Sequence, residues 1–198
     1  MTLSYYASEV SEILTKHEAY LGLLRIATDI VARVDCAENL AIVGIRRGGL
    51  PIAERIADHI AEVANVRVPL GSVDITLYRD DTPVPFPNPR IGRSDIPFDV
   101  HTKTVVLVDD VLHTGRTVRA AMHALLDFGR SRAIRLAVLI DRGGRELPIQ
   151  PDHCVKSAVV AQEQQVEVFA DNNEFYAMIS DRKLRTPFQH NHDTTRAL

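Results

Sequence analysis

The run Thr104-Val-Val-Leu-Val108 is apolar without alternation and ends in two adjacent carboxylates, Asp109 and Asp110. A strand with no polar face has to be covered on both sides, as in a parallel sheet with helices packed above and below it. The carboxylates then stand at the carboxyl end of the strand, where open α/β sheets bind ligands. Val111, Leu112, His113, Thr114, Gly115, Arg116 and Thr117 follow. From about Arg116 to Phe128 the spacing of Val118, Met122 and Leu125 predicts a helix, with Gly129 as its stop.

Similar units recur on either side. Leu40 to Ile45 is a short apolar run ended by Gly48 and Gly49. Pro51 then marks a helix start, with Ile52, Ile56 and Ile60 on one face. Ile134 to Ile140 is a further buried strand. This order implies an α/β protein with a doubly wound, mostly parallel sheet and helices on both faces. Leu14, Leu21, Leu24, Ala27, Val31 and Val34 predict one helix over 8–34. Val73, Ile75 and Leu77 alternate as a half-buried strand would. Val166 to Phe169 and Phe175 to Ile179 predict a small closing β element. The 198 residues suit a single domain, taken as 1–180, with a polar, disordered tail over 181–198.

The two carboxylates can accept hydrogen bonds from a vicinal diol such as the ribose 2′ and 3′ hydroxyls. Thr114, Gly115 and Thr117 lead into a helix N-terminus, where unpaired N–H groups and the helix dipole favour an anion. Gly115 lets the backbone come close to a phosphate. Diol acceptors beside a phosphate cradle fit a ribose 5-phosphate group. Neither the phosphate-loop lysine motif nor a dinucleotide fingerprint occurs. Tyr78 to Pro97 holds half of the ten prolines, so it is neither helix nor central strand. With Arg79, Asp80, Asp81, Arg90 and Arg93 it fits a lid over a charged ligand.

Composition adds limits. A net charge of -3 gives no bulk signal for nucleic-acid binding. No apolar stretch approaches the roughly 20 residues that span a bilayer. No basic N-terminal segment leads into an apolar run, so the expectation is a cytoplasmic protein with no membrane partner. Cys36 and Cys154 form no CxxC and are expected as buried, reduced thiols.

The segment Val105 to Thr117 resembles the 5-phosphoribosyl-1-pyrophosphate (PRPP) signature of type I phosphoribosyltransferases. Asp74-Ile-Thr-Leu-Tyr-Arg-Asp-Asp81, Ile96-Pro-Phe98, Val118-Arg-Ala-Ala-Met122 and Leu136 to Ile149 are similar to the PyrR family, the pyrimidine operon regulators and uracil phosphoribosyltransferases. The resemblance covers about residues 15–157. It implies a Mg²⁺-dependent transfer of uracil onto PRPP, giving UMP and pyrophosphate, by a homo-oligomer. It implies that Asp109 and Asp110 hold the ribose hydroxyls, directly or through Mg²⁺. Val111, Leu112, Thr114, Gly115, Arg116 and Thr117 would form the 5-phosphate loop, and Ile45, Arg46, Arg47 and Gly48 the turn that meets pyrophosphate. Arg79 would lie on a mobile hood loop, about 78–97. Asp141 and Arg142 would lie beside the base.

The chain also departs from the family pattern. His113 stands where a Tyr is usual, and could transfer protons near neutral pH. Gly48 replaces an arginine of the pyrophosphate turn. Gly144 and Gln150 replace basic residues of the surface that meets RNA in regulating members, which counts against retained RNA binding. Arg119, Arg130, Arg132, Arg135 and Arg145 remain as candidates for a basic face. After Lys156 the match fails, and Val155 to Ala161 leaves base specificity less firmly implied than PRPP binding.

Overall fold

The computed structural model describes residues 10–34, 37–78 and 93–181. Arg79, most of the Tyr78 to Pro97 loop and the tail from 182 onward therefore lie outside the described residues, as does Cys36.

A five-stranded sheet forms the centre. Its strands are β2 (Leu40–Ile45), β3 (Leu70–Val73), β4 (Thr104–Leu112), β5 (Ala133–Asp141) and β6 (His153–Ser157), in the order β3-β2-β4-β5-β6. Every pairing among them is parallel. β4 lies in the middle, and its side chains alternate between two cores. Val106 and Val108 pack with helices α1 (Lys16–Arg33) and α2 (Gly49–Ala64), while Val105 and Leu107 pack with α3 (Arg116–Leu126). The expected doubly wound α/β architecture is what the chain forms.

A second, antiparallel sheet has the order β1-β8-β7, from β1 (Ser11–Leu14), β7 (Gln164–Asp171) and β8 (Glu174–Asp181). The two C-terminal strands match the expected closing element. β1 was not expected, because residues 8–34 had read as one helix. The helix instead begins at Lys16. Thr15 caps it by accepting from the Glu18 N–H, and the Glu18 side chain accepts from the Thr15 N–H. The buried face of α1 is Ala19, Gly22, Leu23, Ile26, Ala27 and Ile30, while Leu21 is exposed. The buried stripe runs through Leu23, Ile26 and Ile30 rather than through Leu21, and Leu14 is buried on β1 instead of on the helix.

Other boundaries move as well. The strand expected at Val73 to Leu77 lies earlier, at Leu70–Val73, and Leu77 is exposed in the turn that follows. β4 runs four residues past Val108 to Leu112, so both carboxylates lie inside the strand. α3 stops at Leu126, and Gly129 follows in a left-handed conformation. Cys154, expected to be buried, is a half-buried free thiol on β6, and burial raises its pKa.

Glu18 is held at about 2 rather than 4.5, first by the Thr15 N–H and then by Lys156. Its part in the cap is therefore complete above about pH 4.5 and is lost as pH falls towards 2. Thr15→Ala is expected to lower unfolding free energy at pH 7 by about 1 kcal/mol in urea titration. The deficit should narrow in the acid range; one that stays constant with pH would separate Glu18 from the cap.

Candidate active site

The parallel register brings distant parts of the chain to one rim. Gly44 lies opposite Val108, Leu112 opposite Asp141, and Asp141 opposite Ser157. The rim therefore carries the turn after β2, the last residues of β4, and the end of β5. These are the positions singled out from sequence.

Asp109 and Asp110 occupy successive strand positions and so point to opposite faces. Asp109 is buried and its Oδ1 accepts the Asp110 N–H at 3.0 Å. Asp110 is half-buried, and its Oδ1 accepts the Val111 N–H at 2.8 Å. The turn after β2 abuts this end of β4. A Cβ on Gly48 would land inside the Asp110 carboxylate, and one on Gly49 inside the Val108 carbonyl. Glycine at 48 thus lets the turn close against Asp110. Ile45 is buried, Arg47 is exposed, and half-buried Arg46 donates from Nε to Ser72 Oγ at 2.9 Å. The Arg46–Arg47 peptide is cis.

Beyond Leu112 the chain turns through His113, Thr114 and Gly115 into α3. Gly115 is the N-cap, with φ +90° and no side-chain cap bond. No acidic residue stands in the first turn of α3, so the positive end of the helix dipole faces the rim. The Arg116 N–H meets Thr114 Oγ1 at 3.3 Å.

What fixes this loop is the segment after β5. Thr114 O accepts from the Glu146 and Leu147 N–H groups at 3.0 and 3.1 Å, and Leu112 O from the Arg142 N–H at 3.1 Å. Arg116 pairs with Glu146 at 2.6 Å. Arg145 is turned inward: its guanidinium donates to the His113 carbonyl at 3.0 Å, the Ile149 carbonyl at 2.8 Å and the Asp141 carboxylate at 2.8 Å. Gly143 and Gly144 both have positive φ, which turns the chain back onto the loop. A Cβ on Gly144 would stand 2.9 Å from His113 Nε2, so the imidazole fills space that a side chain at 144 would take.

Asp141 is locked into this network, its Oδ1 accepting the Gly143 N–H at 3.0 Å. The Arg142 guanidinium is buried and donates to the Gln164 carbonyl on β7 at 3.3 Å, tying the rim to the antiparallel sheet. The proline-rich stretch is anchored at both ends. Tyr78 bonds Asp127 and its carbonyl accepts from Arg119, while Asp95 bridges to Ser72. Of the arginines expected on a basic face, Arg119 and Arg145 therefore face inward contacts, and Arg135 pairs with Asp152 at 2.9 Å. Nothing in the sequence marked Arg145 as internal except the two glycines before it.

A cavity of about 230 Å³ lies at the opposite ends of the strands, lined by Arg33, Asn39, Thr104, Arg135 and His153 among others. Of the residues singled out from sequence, only the basic-face candidates Arg132 and Arg135 border it; none of those expected to meet PRPP, Mg²⁺ or the base does. The rim pairs two adjacent carboxylates with a helix start, a combination that the cavity, lined by Asp152, His153 and arginines, does not have.

Comparison with known proteins agrees with this fold. Residues 9–173 match the model of the phosphoribosyl transferase domain. "Bifunctional protein PyrR" of Deinococcus radiodurans is 50% identical over 156 residues, covering 79% of this chain and 85% of that protein. The protein of the same name from Roseiflexus is 50% identical over 155 residues, covering 78% and 85%. Among solved structures, a hypoxanthine-guanine phosphoribosyltransferase of Bacillus anthracis superposes with a TM-score of 0.64 at 13% identity, covering 86% of this chain and 99% of that one. At that identity the likeness speaks to the fold. The chain belongs to the phosphoribosyltransferases and, within them, to the PyrR family.

The His113–Gly144 contact can be tested by a double-mutant cycle. Gly144→Ala is expected to cost about 1–2 kcal/mol from its positive φ alone, and more from the His113 ring. Adding His113→Ala should return the part due to the ring. Strict additivity in urea unfolding would contradict the contact.

Proposed function

We propose that this protein is a Mg²⁺-dependent uracil phosphoribosyltransferase, converting uracil and PRPP into UMP and pyrophosphate. The observation that carries this reading is the rim itself: two adjacent carboxylates near the end of β4, a helix start at Gly115 and an arginine turn closing on Asp110. The PyrR relatives support the choice of a pyrimidine base.

The residues would divide the work as follows. Thr114 to Thr117 offer N–H groups and hydroxyls to the 5-phosphate, on the loop that Val111 and Leu112 lead into. Asp110, half-buried beside the Gly48 turn, would accept from the ribose hydroxyls directly. Buried Asp109, on the other face of the strand, would act through Mg²⁺ and water. Ile45 to Gly48 form the turn for pyrophosphate, with Arg46, Arg47 and Arg79 supplying positive charge. Asp141 and Arg142 would border the base, and His113, whose imidazole packs against Gly144 two residues beyond Arg142, would carry the proton.

The donor set fits Mg²⁺. Among the described residues no three His, Cys, Asp or Glu side chains cluster as a metal site. Two carboxylates at the rim suit an ion that takes its other ligands from phosphate oxygens and water. When bound, it would stabilise negative charge growing on pyrophosphate. In the transfer a uracil nitrogen bonds to ribose C1, the C1–O bond to pyrophosphate breaks with its electron pair, and the nitrogen gives up its proton. The transition state has oxocarbenium character, so the carboxylates and arginines act by fixed electrostatics on opposite charges.

UMP formation from uracil, PRPP and Mg²⁺ tests the reading, with hypoxanthine and guanine in parallel. Turnover with uracil alone is expected, and Asp110→Asn should lower kcat by on the order of a hundredfold or more. Turnover of a purine instead would reassign the base.

The relatives' name, bifunctional, favours a second role as a UMP-responsive regulator that binds pyrimidine-operon RNA. That role predicts a salt-dependent RNA affinity that changes with UMP. Absence of RNA binding at low salt would rule it out.

A further inference from the structure

Arg145 makes more contacts across the site than any role as a surface cation requires. Its side chain is only 13% exposed. One guanidinium reaches the carbonyls of Leu112, His113 and Ile149 at 3.5, 3.0 and 2.8 Å, the Asp141 carboxylate at 2.8 Å and Gln150 Oε1 at 3.4 Å. These partners belong to three places: the exit of β4 into the phosphate loop, the end of β5, and the segment that packs on Gly115. Ile149 and Leu147 stand 3.4 Å from where a Gly115 Cβ would be. The Asp141 carbonyl in turn accepts from the Ala158 N–H at 2.8 Å.

We propose that Arg145 is a positioning residue for phosphoribosyl transfer, fixing the 5-phosphate loop and coupling it to the base side of the site. The inference rests on the phosphoribosyltransferase reading above. A planar guanidinium presents its N–H groups in a fixed fork, and that fork can hold carbonyls and a carboxylate in one plane. Lysine keeps the charge but offers a single rotating ammonium, so it cannot hold all the partners together. Asp141 would then be buried beside fewer donors, and the His113 carbonyl would be free to turn. Relaxation of the loop by about 1 Å would cost roughly a hundredfold in transfer rate.

The test is steady-state kinetics with PRPP and uracil varied in turn, with PRPP·Mg²⁺ binding by calorimetry and thermal unfolding on the same samples. Arg145→Lys is expected to remain folded, to raise KM and Kd for PRPP by about tenfold or more, and to lower kcat/KM by roughly 10- to 100-fold, the range for groups that orient others in a site. Arg145→Gln should go further in the same direction. A purely structural role would lower the active fraction, and so kcat, with KM for PRPP unchanged; that result would overturn the proposal. Where Arg145→Gln fails to fold, Asp141→Asn releases the same guanidinium from its other end and should raise KM for PRPP as well. An unchanged PRPP affinity in both Arg145→Lys and Asp141→Asn also overturns it. If the wild-type protein does not bind PRPP at all, both this inference and the reading beneath it fall.

Discussion

The site depends on the parallel pairing of β4 between β2 and β5. Because β4 is buried on both faces, its backbone groups are satisfied by its neighbours and its register is fixed along its length. That register decides which residues meet at the rim. A shift of one position would turn Asp109 and Asp110 to the wrong faces and move Leu112 away from Asp141. The chemistry at the edge of the sheet is in this sense a product of apolar burial at its centre.

The rim is also stiffened from outside the strand that carries the carboxylates. The residues from Arg142 to Ile149 bond the loop from Leu112 to Gly115 along its backbone and brace it through Arg145 and Glu146. Arg142 extends the same framework to β7, and Arg119 ties α3 to the start of the proline-rich stretch. A helix start that offers N–H groups to an anion is effective only if those groups are already aimed, since ordering them during binding would cost affinity. Two positive-φ glycines and a set of short backbone bonds supply that order here.

Much of this was legible from the amino-acid sequence. The unbroken apolar run before Asp109 implied a doubly covered parallel strand, and Gly115 between Thr114 and Arg116 implied a helix start. The closing β element was visible in the alternation around Val166 and Phe175. β1 was hidden because Leu14 continues the helical spacing by chance, and only the Thr15–Glu18 capping box separates the two elements. β6 was missed because His153 to Ser157 is a half-buried edge strand with little apolar pattern. The inward course of Arg145 has no sequence signal beyond the two glycines before it. An arginine between Gly144 and Glu146 looks like surface charge until tertiary contacts turn it towards Asp141 and the His113 carbonyl.

The central claim is that the end of β4 and the start of α3 hold a phosphoribosyl group. Titrating UMP into ¹⁵N-labelled protein while following backbone amides tests it directly. The account predicts that the largest shifts fall on Gly115, Arg116 and Thr117, with smaller ones at Asp110 and Val111. Shifts confined to the cavity around Asn39 and His153 at the other end of the strands would contradict it.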